Sequence, residues 1–423
     1  MATDYSKLSP AYRGYALGLM TVMFTLANID RSILSILIEP IRVEYGLSDT
    51  QVGMLTGLAF AVPYAIFVIP LGAMADRANR VRLIVLLMLG WSMLTAATGL
   101  AQSFLILVLA RMALGAAESG CAPTLTSLTS DIFPAKRRGS AMSWLYFSSP
   151  LGVTLGLAIG GLVAAHFSWR TAFFVVGLPG LALALLAAFT LREPVRETTD
   201  RPNEGTKEPS SIAKALGVVM RDHRLLFLML GGAFCIGGQA ATSIFMGPFL
   251  IRLHDMDVGQ AGALLALTYG IGGMIGMPLG GYITDYITSR FPGRELTFFG
   301  FVNLVVFVIA AAAFLVPSWP VAIALLAIYS AGCVLYYGVT FASFAQWSPP
   351  HLRGGASAVL LLAMNLFGYG VAPQFAGVMS DVAGAMGFAQ PLRIAMVGSS
   401  ILFAIGGIFL LMAGRAAMRR TAI

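Results

Sequence analysis

Four charged residues stand inside apolar runs long enough to cross a bilayer. Asp30 and Arg31 lie in "ANIDRSIL", and Arg111 and Glu118 in "LARMALGAAESG". A charge at bilayer depth costs roughly 3 kcal/mol or more unless it meets a partner or water, so such residues mark substrate or ion pathways by default. On a helix Asp30 and Arg31 point about 100° apart, so they do not pair with each other. Arg31 shares its stripe with Thr21, Asn28 and Ser35, and that polar stripe is expected to line an aqueous cavity. The stripe of Asp30 is Met23, Leu26, Ala27, Ile33, Leu34 and Leu37. There burial and any nearby cation act on its protonation in opposite senses, which suits a carboxylate that loads and releases a proton.

Arg111 and Glu118, seven residues apart, fall on nearly one helix face about 10 Å apart along the axis. Gly115 between them has no side chain and is expected to leave room for a partner or a polar head group. These residues are read as one site. Asp30 and Glu118 carry protons, while Arg31 and Arg111, with Asn28 and Ser119, bind an acidic substrate group. The alternative is a static charge network that holds the N-terminal half together, although buried ion pairs seldom outperform apolar packing.

The elements that must hold these groups are helices. The chain has 423 residues, 58% hydrophobic and 11% charged, with a mean hydropathy of +0.82. Soluble domains carry about 25% charged residues. Apolar segments of about twenty residues, the length that spans hydrocarbon, recur throughout. Spans are expected near 15–40, 51–74, 81–101, 103–130, 140–165 and 170–191, then near 224–250, 259–285, 295–316, 320–346, 354–380 and 388–414. This is an all-α polytopic membrane protein, and no cleavable signal peptide is expected in the polar N-terminus. Of the 27 Lys and Arg, four (Arg42, Arg170, Arg252, Arg393) fall on one side and two (Arg31, Arg111) within spans. The others share the opposite side with both termini, which predicts cytoplasmic termini and makes the net charge of +8 a matter of topology rather than nucleic-acid binding.

Several classes are excluded. Cys121, Cys235 and Cys333 all lie in apolar segments, against a disulfide framework or a zinc site. The four histidines lack metal-ligand spacing, and no GxxxxGK[ST] loop is present, so neither a metal nor another cofactor nor an ATPase is expected. No nucleophile–base set points to an enzyme.

The chain repeats internally. Gly72-x-x-x-Asp76 and Gly281-x-x-x-Asp285, each followed by basic residues, are 209 positions apart. "PAKRRG" (Pro134, Arg138, Gly139) and "PPHLRG" (Pro349, Arg353, Gly354) are 215 apart. Two pairs at nearly one offset indicate duplicated halves, divided as 1–192, a cytoplasmic linker 193–222 and 223–423. "SSIAKALGVVMRDH" is expected to form a short surface helix at the end of the linker.

The loop Gly72-x-x-x-Asp76-Arg77-x-x-Arg80, with twelve spans in a 6 + 6 repeat, resembles the major facilitator superfamily (MFS) over essentially the whole chain. The second copy is degenerate, with Tyr286 after Asp285. The resemblance implies two pseudo-symmetric six-helix bundles working by alternating access. It also implies a cytoplasmic gate in which Asp76 caps a helix across the halves and Arg77, Arg80, Asp285 and Arg138 take part. The alternative for this loop is a basic turn obeying the positive-inside rule. "NIDRSIL" and Gly115-x-x-Glu118 followed by Ala122-Pro123-Thr124 resemble the spinster-type branch, while organic-anion porters share the Asp-Arg pair. Spinster resemblance implies lysophospholipids or sphingoid-type lipids as substrates.

The corresponding positions of the second half carry no charge, offering Gln239, Thr242, Ser243, Asn303, Tyr336, Tyr337, Asn365, Tyr369 and Gln374. Of these, Tyr336, Tyr337, Asn365 and Tyr369 are expected to line the substrate site opposite the charged wall, or else to serve ordinary helix packing. Glycine rows 152/156/160 and 272/276/280 are expected where spans 5 and 8 meet across the halves. The expected function is proton-coupled transport of an amphiphilic lipid by a monomer in the inner membrane, with protons and membrane lipids as its other partners. The alternatives are a porter of small organic anions, a multidrug exporter, or a lipid scramblase or non-transporting receptor.

Overall fold

The computed structural model of the chain describes residues 9–195 and 212–421. Among them are twelve helices long and apolar enough to cross a membrane, here spans 1 to 12 in order. The first six are Pro10–Tyr45, Asp49–Arg77, Arg80–Thr98, Phe104–Ile132, Lys136–His166 and Trp169–Thr190. The second six are His223–His254, Val258–Arg290, Glu295–Leu315, Trp319–Trp347, Pro350–Ala385 and Pro391–Met418. They coincide with the expected spans to within a few residues. Span 1 overruns its window at both ends, because a helix keeps its backbone bonded through the interface as well as the hydrocarbon. Of the predicted linker, residues 196–211 lie outside the described residues, as does Lys7. Its end forms the expected short helix, Ile212–Arg221, which buries Ala215 and Val219 against span 7 and its neighbours.

Polar residues punctuate the spans. Ser48 and Gln51 form a reciprocal capping box at the start of span 2. Asn79, Ser103, Ser168, Asp222 and Asp257 cap spans 3, 4, 6, 7 and 8 through their side-chain oxygens. The duplication extends to the irregularities. Span 2 breaks at Gly57 and span 8 carries a π-helical turn over Ala266–Gly270, 209 residues on (57 to 266). Span 4 breaks at Ser119 and Gly120, and span 10 over residues 333–336, at an offset of 215 (119 to 334). Such interruptions are tolerated at membrane depth only where protein or water satisfies the freed backbone.

The described residues pack as two units. The first comprises spans 1 and 3 to 6, span 2 from Ala59 onward, and Asp257–Ala266 from the start of span 8. The second comprises spans 7 and 9 to 12, the rest of span 8, the short helix, and Gly46–Leu58 from the start of span 2. The predicted division of the chain did not foresee this exchange of two short segments. Close backbone approach explains it. A Cβ on Gly53 or Gly57 would strike the span 11 backbone at Pro373 or Gly370, and one on Gly262 would strike Leu157 and Gly161 of span 5.

The glycine rows do not lie where they were expected. Gly152, Gly156 and Gly160 press on Asn28, Ile29, Ser32 and Ile33 of span 1 inside the first unit. Gly272, Gly276 and Gly280 press on residues 330–335 of span 10 inside the second. Spacing identifies a small-residue face but not its neighbour. Spans 5 and 8 touch instead through Gly161 and Gly262, with Leu157 against Gly262 and Ala165 against Gly259.

Candidate functional site

Span 1 presents Asp30 and Arg31 to different neighbours, as their angular separation requires. Arg31 Nε donates to Glu118 Oε2 at 2.6 Å. Its guanidinium lies over the Phe60 and Tyr64 rings, 5.2 and 5.0 Å from their centroids. Asp30, 2% exposed, accepts a hydrogen bond from Thr95 of span 3. Glu118 is the last residue of a helical segment, where the backbone dipole opposes a negative charge, so Arg31 is the partner that holds it there.

Arg111 is 3% exposed and lies against the same Phe60 ring as Arg31, its Cζ 5.2 Å from the centroid. Its Nε and Nη1 are buried without a hydrogen-bond partner, as is Glu118 Oε1. Arg111 acts electrostatically on both Asp30 and Glu118. The expected room at Gly115 is filled by the Phe60 backbone, which a Cβ there would strike. Gly115 thus brings span 2 close enough for the Phe60 ring to contact both guanidinium groups. Asn28 Nδ2 donates to Phe24 O at 2.8 Å, and Ser119, fully buried, donates to Ala116 O at 2.8 Å, so both bond to their own helices.

In the second unit, Tyr337 donates to Gln239 Oε1 at 3.2 Å and Gln239 Nε2 donates to Tyr269 at 3.3 Å. The Tyr336 and Tyr337 rings pack at a tilt with centroids 4.8 Å apart, and the Tyr336 hydroxyl is buried without a partner, as is Asn365 Oδ1. Tyr269 lies in the π-helical turn of span 8; Asn365 and Tyr369 lie in a second one, Met364–Val371 of span 11. Such turns recur at functional sites because they rotate side chains out of helical register. Asn303, by contrast, accepts from Cys235 Sγ and donates to Phe299 O, a packing role.

Of the loop residues, Arg80 is buried. It binds Asp131 at 2.5 Å, Glu193 at 2.8 Å and Ser127 Oγ at 3.0 Å, tying span 3 to the ends of spans 4 and 6. Arg138 Nε donates to Ser130 O at 2.7 Å. Asp76, Arg77 and Asp285 are exposed, and nothing lies within 4 Å of where a Cβ on Gly72 or Gly281 would sit. The same pattern recurs at the opposite end of the spans. Gly377-x-x-x-Asp381 of span 11 receives the first turn of span 2, a Cβ on Gly377 meeting the Asp49 backbone. Asp381 accepts from the N–H groups of Asp49 and Thr50 at 3.0 and 2.8 Å, while Asp49 accepts from Arg252 at 2.8 Å and from Ser380. Sequence reasoning missed this cluster, although its Gly-x-x-x-Asp spacing was legible. Phe60, Tyr64 and Thr95 were missed as well, because aromatic and hydroxyl residues are common in any span.

The sequence profile of the Major Facilitator Superfamily matches residues 20–312. The chain belongs to the major facilitator superfamily. Within that superfamily the chain is similar to the crystal structure of a bacterial homolog to the human lysosomal transporter spinster in an inward-facing, unoccupied conformation. The TM-score is 0.86 at 28% identity, covering 97% of this chain and 99% of that one. It is 28% identical over 383 residues to an MFS-type efflux pump of Mycolicibacterium smegmatis, covering 90% of this chain and 87% of that protein. It is 33% identical over 286 residues to the probable sulfoacetate transporter SauU of Cupriavidus necator, covering 66% of each. Twelve apolar helices and this membership make it an integral membrane protein of a transporter family, with spinster-like structure.

Proposed function

We propose that the chain is a proton-coupled secondary transporter of an amphiphilic lipid with an acidic head group, of the lysophospholipid or sphingoid type. It would work by alternating access in the inner membrane with both termini cytoplasmic. The observation that carries this reading is Arg111, a buried guanidinium with two donors lacking acceptors. A buried donor without an acceptor is costly, and an entering phosphate or carboxylate satisfies it with a charge-assisted bond. Glu118, already paired to Arg31, and Asp30, held by Thr95, are the two carboxylates whose protonation the anion would bias. An acid group arriving at Arg111 competes for the cation that also acts on Asp30 and Glu118, which links substrate entry to proton uptake.

A second reading, transport of small organic anions, is favoured by the 33% identity to a probable sulfoacetate transporter. Both readings assign Arg111 the same part and differ in the body that the acidic group carries, a long apolar tail or a short polar one. The test is uptake by the purified protein in proteoliposomes under an imposed pH gradient, with a lysophospholipid and sulfoacetate in competition. Gradient-driven lysophospholipid movement that sulfoacetate does not inhibit supports the first reading, and the converse supports the second. Transport unchanged in Asp30→Asn and Glu118→Gln overturns the proton role. Lipid movement in both directions without a gradient points instead to a scramblase.

A further inference from the structure

At the end of the second unit opposite the C-terminus, an apolar groove of about 480 Å³ lies between spans 9, 11 and 12. Leu315 of span 9, Met379 of span 11, and Val397 and Ile401 of span 12 line it, with Phe388 from the turn between spans 11 and 12. Gly398 lets Met379 lie against the span 12 backbone, since a Cβ there would strike the thioether. A Schellman turn fixes Phe388. Its N–H donates to Ala383 O at 3.2 Å and that of Gly387 to Gly384 O at 3.0 Å, with Gly387 at φ +82°. Phe388 and Ile401 remain 53% and 45% exposed, so the groove opens outward.

One cation stands on this lining. Arg393 is the third residue of span 12, beside Gln390. Its Nη1 donates to Leu315 O at 3.4 Å, longer than the usual range of about 2.7–3.2 Å. Its Nε has no hydrogen-bond partner, and among the described residues no carboxylate forms an ion pair with it. His254, at the end of span 7, acts electrostatically on the same corner. Trp319, exposed at the start of span 10, marks the head-group level at this end of the unit. From Arg393 to Ile401 the helix rises about 12 Å, against about 15 Å for one leaflet of hydrocarbon. The groove is therefore a trough nearly one leaflet deep with a guanidinium at its mouth.

We propose that this groove binds a diacyl phospholipid with a net negative head group, its phosphate on Arg393 and one acyl chain along span 12. Charge and shape together select this occupant. A guanidinium whose Nε lacks an acceptor takes a phosphate oxygen through a charge-assisted bond, and the trough beneath Arg393 is apolar throughout. A short organic anion leaves that trough empty. A zwitterionic lipid brings its own cation toward Arg393, which weakens the attraction. Seated there, the anionic lipid bridges the ends of three spans. The site lies in the second unit and Arg111 in the first, so it depends on neither the substrate nor the proton assignment made above.

The test is native mass spectrometry of the full-length protein in detergent, titrated with phosphatidylglycerol or with phosphatidylcholine. The first phosphatidylglycerol is expected to bind about ten-fold more tightly than the first phosphatidylcholine, the equivalent of one charge-assisted bond. Arg393→Gln is expected to remove that preference and Arg393→Lys to keep part of it. Ile401→Trp fills the trough from a half-exposed position and is expected to weaken both lipids. Arg111→Met is expected to leave the preference intact. Equal affinity for the two lipids, or a preference unchanged in Arg393→Gln, overturns the proposal. Loss of the preference in Arg111→Met alone overturns it too, by placing the lipid in the substrate site. Loss in Arg393→Gln with no effect of Ile401→Trp leaves only surface charge and overturns the groove. A dimer in the same spectra that Ile401→Trp abolishes makes a second copy of the chain the occupant instead. Should Arg393→Gln fail to fold, Ile401→Trp decides, and unchanged phosphatidylglycerol affinity there overturns the proposal.

Discussion

Replacing Arg111 by Met tests whether this arginine waits for an anion or holds the bundle together. Its Nε and Nη1 are buried and unpartnered. At about 1–3 kcal/mol for each unsatisfied donor, removing both relieves roughly 2–6 kcal/mol. Two losses oppose that gain: the contact with the Phe60 ring, about 1–2 kcal/mol, and the attraction to Asp30 and Glu118. Arg111→Met should therefore be about as stable as the native protein or more so. Glu118→Gln is the contrast. It leaves Arg31 without its carboxylate, and removing one partner of a buried pair costs about 3–5 kcal/mol. The Arg31 side chain is 34% exposed, so solvent screening brings the expectation to roughly 2–3 kcal/mol. At about 2–4 °C per kcal/mol for a unit of this size, Glu118→Gln should lower the melting temperature by roughly 5–10 °C. Tryptophan fluorescence during thermal unfolding of the purified protein in detergent reads both. If Arg111→Met loses as much stability as Glu118→Gln, Arg111 belongs to a static network and the anion-site argument fails.

Three further outcomes are expected from the packing. Asp381→Ala removes the acceptor for the first N–H groups of span 2 and should cost about 1 kcal/mol; a cysteine placed at Gln51 should then react faster with a membrane-impermeant maleimide. Gly156→Leu forces a side chain into Ser32 and the Ile29 backbone, an overpacking of about 1–3 kcal/mol or more, and should abolish a monodisperse peak on size exclusion. Gly14→Ala, with nothing within 4 Å, should leave that peak unchanged. Arg80→Lys keeps the charge but loses the fork that reaches Asp131, Glu193 and Ser127, and should cost about 2 kcal/mol in a denaturation midpoint.

The twelve spans, the repeat and the isolation of four charges were all legible in the sequence, for one physical reason. The bilayer admits only long apolar helices, so each departure from that rule stands out against a uniform background. The 100° between Asp30 and Arg31 likewise comes from helical geometry alone, and the two residues do reach different partners, Thr95 and Glu118. Only packing decided what those partners are. Nothing in "GWSMLTAATG" distinguishes Thr95 from Ser92 or Thr98, because a hydroxyl costs little in a membrane helix and is common there. Gly115 illustrates the same limit. A missing side chain reads in sequence as empty space, whereas the fold uses it to admit the Phe60 backbone and set that ring against two guanidinium groups. Gly377 and Asp381 mark the intermediate case, with the same spacing as Gly72 and Asp76 but a partner visible only once span 2 lies against span 11. The sequence by itself determined which residues cannot be at rest in lipid. The tertiary structure decided which of them are satisfied, because satisfaction depends on atoms that are distant along the chain, and it left Arg111 as the buried cation whose Nε and Nη1 lack acceptors.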